Sequence, residues 1–441
     1  MTLSIVLQFI VVLAAIWMGA RFSGVGLGLW GAVGLLVLVV AFGVNPTSPP
    51  TDVMLIILAV IMAASVMDAA GGIDFLVRIA ERIIRANPKY VTIVAPLTTW
   101  TFTFLAGTGH IVYPLLPVIY ETAHQNGIRP ERPMAVATIA SQQAITASPV
   151  AAATAAMIGL FAEKGITEWG LPQILMVCVP STLIGVIAAA VVSMFIGKDL
   201  KDDPEYQAQL AAGKIPAPKS TADRPPLKPA AKVSAYIFLT GVALVVLFGF
   251  FPELRTLPRA KAALAMPIVI EIVMLAVAAV MLLATKVNVD EVPKTATLRA
   301  GVVAVIGIFG LAWLGDSFIT SHKDVIVPAI GKWAQVAPWT FAFGLFFASV
   351  LLYSQAATTR ALMPLGIALG IPPQFLIAMF PSVNGYFFIP TYGSLIAAIN
   401  FDLSGTTRIG KYVLNHSFMI PGLVATAVAV IVGLFLARIM F

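Results

Sequence analysis

Charge is what this chain has least of. Only 11% of its 441 residues are Asp, Glu, Lys or Arg, while 59% are hydrophobic; a soluble domain carries about a quarter charged residues. That scarcity excludes a solvated surface over most of the chain. Cysteine is nearly absent too: the single Cys178 lies in an apolar run, which excludes an intrachain disulfide and leaves the redox compartment unmarked. The four histidines, His110, His124, His322 and His416, are scattered. There is no HExxH, no nucleophile elbow and no paired metal-ligand spacing, so an intramembrane enzyme finds no support and no cofactor or metal is expected. The letters Gly26-Leu27-Gly28-Leu29-Trp30-Gly31 fit a dinucleotide fingerprint, but no strand precedes them, and helix packing is the better reading.

What is present is apolar sequence in long runs. Segments of about 20 residues, the length a helix needs to cross a bilayer, recur near 3–20, 23–42, 52–70 and 170–197, then near 233–252, 262–285, 300–318 and 412–440. Unbroken runs exclude the alternating strands of a barrel, so the fold class is an all-α polytopic membrane protein. Residues 1–20 lack a basic n-region and a persuasive cleavage site and are expected to remain as the first helix. The polar stretch 198–231 reads as an extramembrane linker between two halves, 1–197 and 232–441.

Each half contains two interrupted runs. Those at 91–119 and 338–370 turn at short polar segments, Ala106–His110 and Ser354–Arg360. Ala106–Pro114 and Ala356–Pro364 match at one offset of 250 residues. Each arm, at about 12 residues, spans roughly 18 Å and cannot cross a core of about 30 Å, so both runs are expected to be re-entrant hairpins. The runs 134–160 and 373–399 have polar, proline-bearing centres and are expected to cross as broken helices. Such backbone at membrane depth is tolerated only where protein or a wet cavity covers it.

With each hairpin counted as no crossing, each half crosses five times, and the second half is inverted relative to the first. Charge follows that topology. One face carries Arg21, Arg78, Arg82, Arg85, Lys89, Arg129, Arg132, the basic residues of the linker, Lys286, Lys294, Arg299, Arg408 and Lys411. The other carries only Lys164, Arg255, Arg259, Lys261, Lys323, Lys332 and Arg438. The positive-inside rule then places the linker in the cytoplasm and both termini outside. The net charge of +7 is explained by this location and needs no nucleic-acid partner.

Inverted repeats with discontinuous helices point to a secondary transporter, with a site where tips and breaks meet near the midplane. Each tip and break exposes a helix N-terminus worth roughly half a positive charge, and four of them offer about +2 to a small dianion. Carbonyls at the same breaks can instead hold a coupling cation. At the tips, Arg360 is the expected carboxylate ligand, the alternatives being snorkelling or an acidic partner; His110 holds the equivalent repeat position. Thr108, Gly109, Ser354, Gln355, Thr358 and Thr359 complete the tips, and Ser141, Gln142, Thr146, Ser148, Asn384 and Thr391 stand at the breaks. Hydroxyls and amides there can equally cap half-helix ends. Asp74 and Asp324 are expected to cap amphipathic helices. Asp68 and Asp316 sit near matched span ends, and Glu271 lies inside a scaffold span.

Ala106–His110, Ile145-Thr146-Ala147-Ser148-Pro149, Tyr353-Ser354-Gln355-Ala356-Ala357, Ile389-Pro390-Thr391-Tyr392 and Ser404–Gly410, with Asn87-Pro88-Lys89-Tyr90 and Trp313-Leu314-Gly315-Asp316, resemble the anaerobic C4-dicarboxylate uptake (Dcu) transporters over nearly the whole length. The resemblance implies exchange of fumarate, succinate, malate and aspartate across the bacterial inner membrane. It also implies an elevator in which hairpins and broken helices move against a scaffold. Expected partners are dianionic dicarboxylates, the lipid bilayer and a second copy in a homodimer; the rival reading is a sodium- or proton-coupled carboxylate symporter.

Overall fold

The computed structural model describes residues 3–22, 24–213, 215, 226–256, 263–322, 324–325, 337–352 and 354–441. Expectations resting on Tyr353, Arg259, Lys261, Lys323, Lys332, the amphipathic stretch after Asp324 and the Lys/Pro-rich part of the linker lie outside these residues. Among the described residues no β-strand forms, and only two isolated bridges, Thr256–Ala263 and Ile409–His416, interrupt the helical pattern.

The first half runs α1 (Leu3–Phe22), α2 (Gly26–Phe42), α3 (Thr51–Ala69), α4 (Gly72–Ala86), α5 (Val91–Ala106), α6 (Val112–Gln125), α7 (Glu131–Gln143), α8 (Ala152–Glu163) and α9 (Leu171–Ser193). A short α10 (Pro204–Ala211) follows in the linker. The second half runs α11 (Ala231–Phe250), α12 (Met266–Thr285), α13 (Ala296–Gly307), a π-turn (Ile308–Ala312), α14 (Trp313–Ser321), α15 (Phe341–Leu352), α16 (Gln355–Ala368), α17 (Pro373–Met379), a 3-10 segment (Phe380–Phe387), α18 (Gly393–Phe401) and α19 (Met419–Met440). Six of the described helical segments are long and apolar enough to cross a bilayer: α3, α9, α11, α12, the continuous α13–α14 and α19.

Local chemistry explains the boundaries. α2 stops at Gly43, whose φ of 68° lets its N–H return to the helix. α4 buries Leu76, Val77, Ala80 and Ile84 along one face, as its amphipathic pattern requires. It begins two residues earlier than expected, at Gly72 after a left-handed Gly71, so Asp74 sits in the first turn rather than at the cap. In the linker, Asp203 caps α10 by accepting from the N–H groups of Glu205 and Tyr206, with Pro204 next in the chain. An Asp-Pro pair is a legible helix start within the polar linker.

α10 is fixed to the body by polar contacts. Tyr206 bonds His124 (2.9 Å), Arg408 pairs with Glu205 (2.7 Å), and the buried Arg129 pairs with both Glu131 (2.6 Å) and Asp203. Burial pushes the Asp203 carboxyl up, but hydrogen bonds from Arg129 and two backbone N–H groups outweigh it and hold it below its ordinary 3.8. The sign follows: the stabilisation is present at neutral pH and is lost as pH falls from about 4 through the lowered folded value. Limited proteolysis around residues 198–213 is expected to accelerate below about pH 4. Equal acid sensitivity in Asp203→Asn, which has no carboxyl to titrate, would refute the assignment.

α2, α3, α13 and α14 form one tightly packed unit. Gly31 approaches the π-turn so closely that an added Cβ would lie 2.5 Å from the Leu311 nitrogen, and Gly28 and Gly310 meet backbone to backbone. The wide π-turn and glycines on both sides permit this approach. Thr297 donates to Asp68 (2.8 Å) and Ser317 accepts from the Thr47 N–H (3.1 Å), tying α13 and α14 to α3 and the segment before it.

Candidate functional site

α5 ends where Gly107 turns left-handed (φ 70°) and caps it, and an added Cβ at Gly107 would lie 2.6 Å from the Val150 carbonyl. The first tip therefore rests directly on the break of the first broken helix. Thr108 caps the following 3-10 turn by accepting from the His110 N–H (3.3 Å), and α6 continues from it. In the second hairpin Ser354 caps α16 by accepting from the Ala357 N–H (3.2 Å). The breaks restart from extended residues, Ala151 before α8 and Tyr392 before α18, and neither restart has a side-chain cap. Their first N–H groups lack the usual internal acceptor.

These four starts line one cavity of about 720 Å³. Gly107, Thr108, Gly109 and His110 come from the first tip, Ser354 to Ala357 from the second, Ala152 and Ala153 from α8, and Thr391, Tyr392 and Gly393 from the start of α18. Gln142 and Tyr113 add polar side chains, and α13 closes the wall with Arg299, Ala300, Val303, Ala304 and Gly307. Among the described residues no Asp or Glu lines the cavity. His110 stacks on Tyr113 at 5.8 Å between centroids.

Under the cavity an amide chain joins elements far apart in sequence. Gln355 donates to Gln142 (2.9 Å) and Asn384 (3.2 Å), Asn384 donates to Gln143 (3.2 Å), and Gln143 donates to Thr426 of α19 (2.8 Å). Satisfied polar networks of this kind in low dielectric fix a single arrangement. Gly109 lies against the Gln142 amide, where a Cβ would be 2.5 Å from its nitrogen. Gln143 belongs to the polar centre of the first break; Thr426, inside the last apolar run, carries no such signal in its local sequence.

Of the residues expected at the site, Thr108, Gly109, His110, Gln142, Ser354, Gln355 and Thr391 line the cavity, and Asn384 lies in the chain beneath. Ser141, Thr146, Ser148, Thr358 and Thr359 do not reach it. Each is fully buried and donates to a backbone carbonyl: Ser141 to Thr138, Thr146 to Gln143, Ser148 to Phe104, Thr358 to Ser354 and Thr359 to Gln355. Internal satisfaction of broken helices takes these hydroxyls.

Arg360 also stands apart. Because Ser354 starts α16 early, Arg360 lies about 7.5 Å along the helix from its first residue. Its guanidinium is 1% exposed and pairs with Glu163 of α8 (2.9 Å) and Asp316 of α14 (3.4 Å). The acidic-partner alternative is what the geometry gives. The two hairpin caps, Thr108 and Ser354, are 246 residues apart, so the sequence offset of 250 that aligned His110 with Arg360 pairs a tip residue with a helical one. Missed instead were Arg299, counted among surface cations, and Tyr113 and Tyr392. Both tyrosines lie in segments the sequence marks, Ala106–Pro114 and Ile389–Tyr392, but an aromatic ring there reads equally as packing.

The segment Ser404–Gly410 lies elsewhere. It wraps around Asp402, which accepts from Ser404, Thr406 (2.8 Å) and the Thr407 N–H (2.6 Å), and it docks on Glu131 through Thr406 (3.1 Å) and through Ser417 (2.6 Å).

Long apolar helices and two interrupted pairs around one cavity define an all-helical, multi-pass membrane fold. Two solved transporters share it: YdaH of Alcanivorax borkumensis (TM-score 0.58, 14% identity, 93% of this chain and 89% of that one) and MtrF of Neisseria gonorrhoeae (0.52, 12%, 92% and 84%). The chain belongs to the anaerobic C4-dicarboxylate membrane transporter family, whose model matches residues 4–441. It is 43% identical over 437 residues to the C4-dicarboxylate transporter DcuA of Escherichia coli, covering 99% of this chain and 100% of that one. It is 41% identical over 441 residues to DcuA of Wolinella succinogenes (99% and 100%), and 39% over 433 residues to DcuB of Escherichia coli (97% and 97%).

Proposed function

We propose that this protein exchanges C4-dicarboxylates such as fumarate, succinate, malate and aspartate across the bacterial inner membrane by alternating access. The observation that carries this reading is the meeting of four helix starts on one cavity in whose lining, among the described residues, there is no acidic side chain. Those starts together offer about +2 of partial charge to an anion, and the relatives are named for four-carbon dicarboxylates. The substrate set is Thr108, His110, Gln142, Ser354, Gln355 and Thr391, with Asn384 holding Gln355 in place.

The elevator mechanism gives the two packed units different tasks. Hairpins and broken helices carry the substrate, while α2, α3, α13 and α14, locked by close glycine contacts, act as the fixed wall. The halves 1–197 and 232–441 are inverted repeats, with both termini in the periplasm, the linker 198–231 in the cytoplasm, and a homodimer as the assembly. The distribution of Lys and Arg along the chain supports this orientation.

The test is counterflow of labelled fumarate into proteoliposomes loaded with unlabelled acids. Exchange is expected with internal dicarboxylate and almost none without it. Uptake into empty vesicles driven by a sodium or pH gradient would replace exchange with ion-coupled symport. Counterflow no greater than in protein-free liposomes, for all four acids, would remove the function.

A further inference from the structure

Among the described residues Arg299 is the only Lys or Arg that lines the cavity, and no Asp or Glu lines it. It makes no ion pair or side-chain hydrogen bond among the described residues and remains exposed. Its position is unfavourable by local rules. Arg299 stands in the first turn of α13, just after the Thr295 cap, where a cation opposes the helix dipole. Its backbone is held firmly: Thr297, two residues earlier, bonds Asp68, and Gly301, two residues later, abuts Ile61. An unpaired arginine on a firmly held stretch of backbone, at the wall of a cavity that otherwise offers helix N-termini, has the chemistry of a carboxylate receptor.

We propose that Arg299 binds the second carboxylate of the substrate and thereby makes the site selective for dianions over monoanions. The claim rests on the dicarboxylate reading above. One carboxylate takes the N–H groups of the helix starts, and the other takes the guanidinium from the wall formed by α13. A four-carbon diacid offers two such groups on one short chain, whereas a monoacid leaves the guanidinium without its partner. Because α13 is clamped to α3, the backbone that carries the arginine stays in place when substrate binds.

Succinate and succinamate, its monoamide, separate this role from that of a surface cation. They share a length and differ by one negative charge. In wild-type proteoliposomes succinate is expected to be the better counterflow substrate. In Arg299→Gln the KM for succinate is expected to rise about 10-fold or more, with that for succinamate changed less than about 2-fold. Arg299→Lys keeps the charge without the planar fork and is expected to lower the succinate preference roughly 3-fold or more. It carries the test if the glutamine variant does not accumulate. An unchanged succinate-to-succinamate ratio in the variant that is read, or an equal loss of both substrates, overturns the role of Arg299 alone. Absence of succinate exchange in the wild type overturns the transport reading itself.

Discussion

Arg360→Ala is expected to lower the thermal unfolding midpoint of the detergent-solubilised protein sharply, by the equivalent of about 3–5 kcal/mol. The guanidinium is among the largest fully buried side chains, and two carboxylates face it, Glu163 at 2.9 Å and Asp316 at 3.4 Å. Removing it leaves both acids partly buried without a counter-charge, and they must protonate or draw in water. The triple variant Arg360→Met, Glu163→Gln, Asp316→Asn removes all three charges together and is expected to recover most of the loss. Transport separates this view from a direct ligand role. Whatever fraction of Arg360→Ala folds should bind dicarboxylate with near wild-type affinity, since the residue lies outside the cavity. Normal stability combined with lost affinity would return Arg360 to the substrate.

Gly310→Ala is expected to be at least as damaging, costing about 3 kcal/mol or more. The position lies in the π-turn, against the backbone of Gly28, and the new Cβ would fall well inside contact distance of the Gly28 carbonyl. Backbone cannot swing aside as a flexible side chain does, so α2 and the π-turn must separate. The control is Gly344→Ala in α15, where an added Cβ meets nothing within 4 Å. There the loss of glycine's backbone freedom should stabilise the helix by roughly 0.5–1 kcal/mol. A midpoint for Gly310→Ala equal to that of Gly344→Ala would show that the two backbones do not meet in this way. Because α13 runs into this turn, displacement at Gly310 should also shift the wall that carries Arg299.

Some features of the site were legible in sequence because they are local. Gly107 and Ser354 end and start helices through their own backbone and hydroxyl chemistry, and both interruptions were readable from the polar residues around them. Glycine at 109 beside Gln142 was legible only as a small residue at a tip; that the amide fills the space a Cβ would need is a fact of packing. Not every hydroxyl at the tips and breaks faces the cavity, since Thr146, Ser148, Thr358 and Thr359 satisfy carbonyls within or beside their own helices. The same residue types serve both tasks, and sequence position alone does not separate them.

The sequence by itself determined the class of protein, its helical character and its long apolar segments. Each of these follows from composition and chain stereochemistry over a few neighbouring residues. Only the tertiary structure decided which polar groups face the cavity. A helix rises about 1.5 Å per residue, so a cap set four residues from the expected register carries Arg360 about 6 Å along the helix, away from the tip and beside Glu163, 197 residues earlier, and Asp316. It likewise took the packing of α13 on α2 and α3 to bring Arg299 to the cavity wall, because a charge near a helix end looks the same in sequence whether it faces lipid headgroups or a binding site.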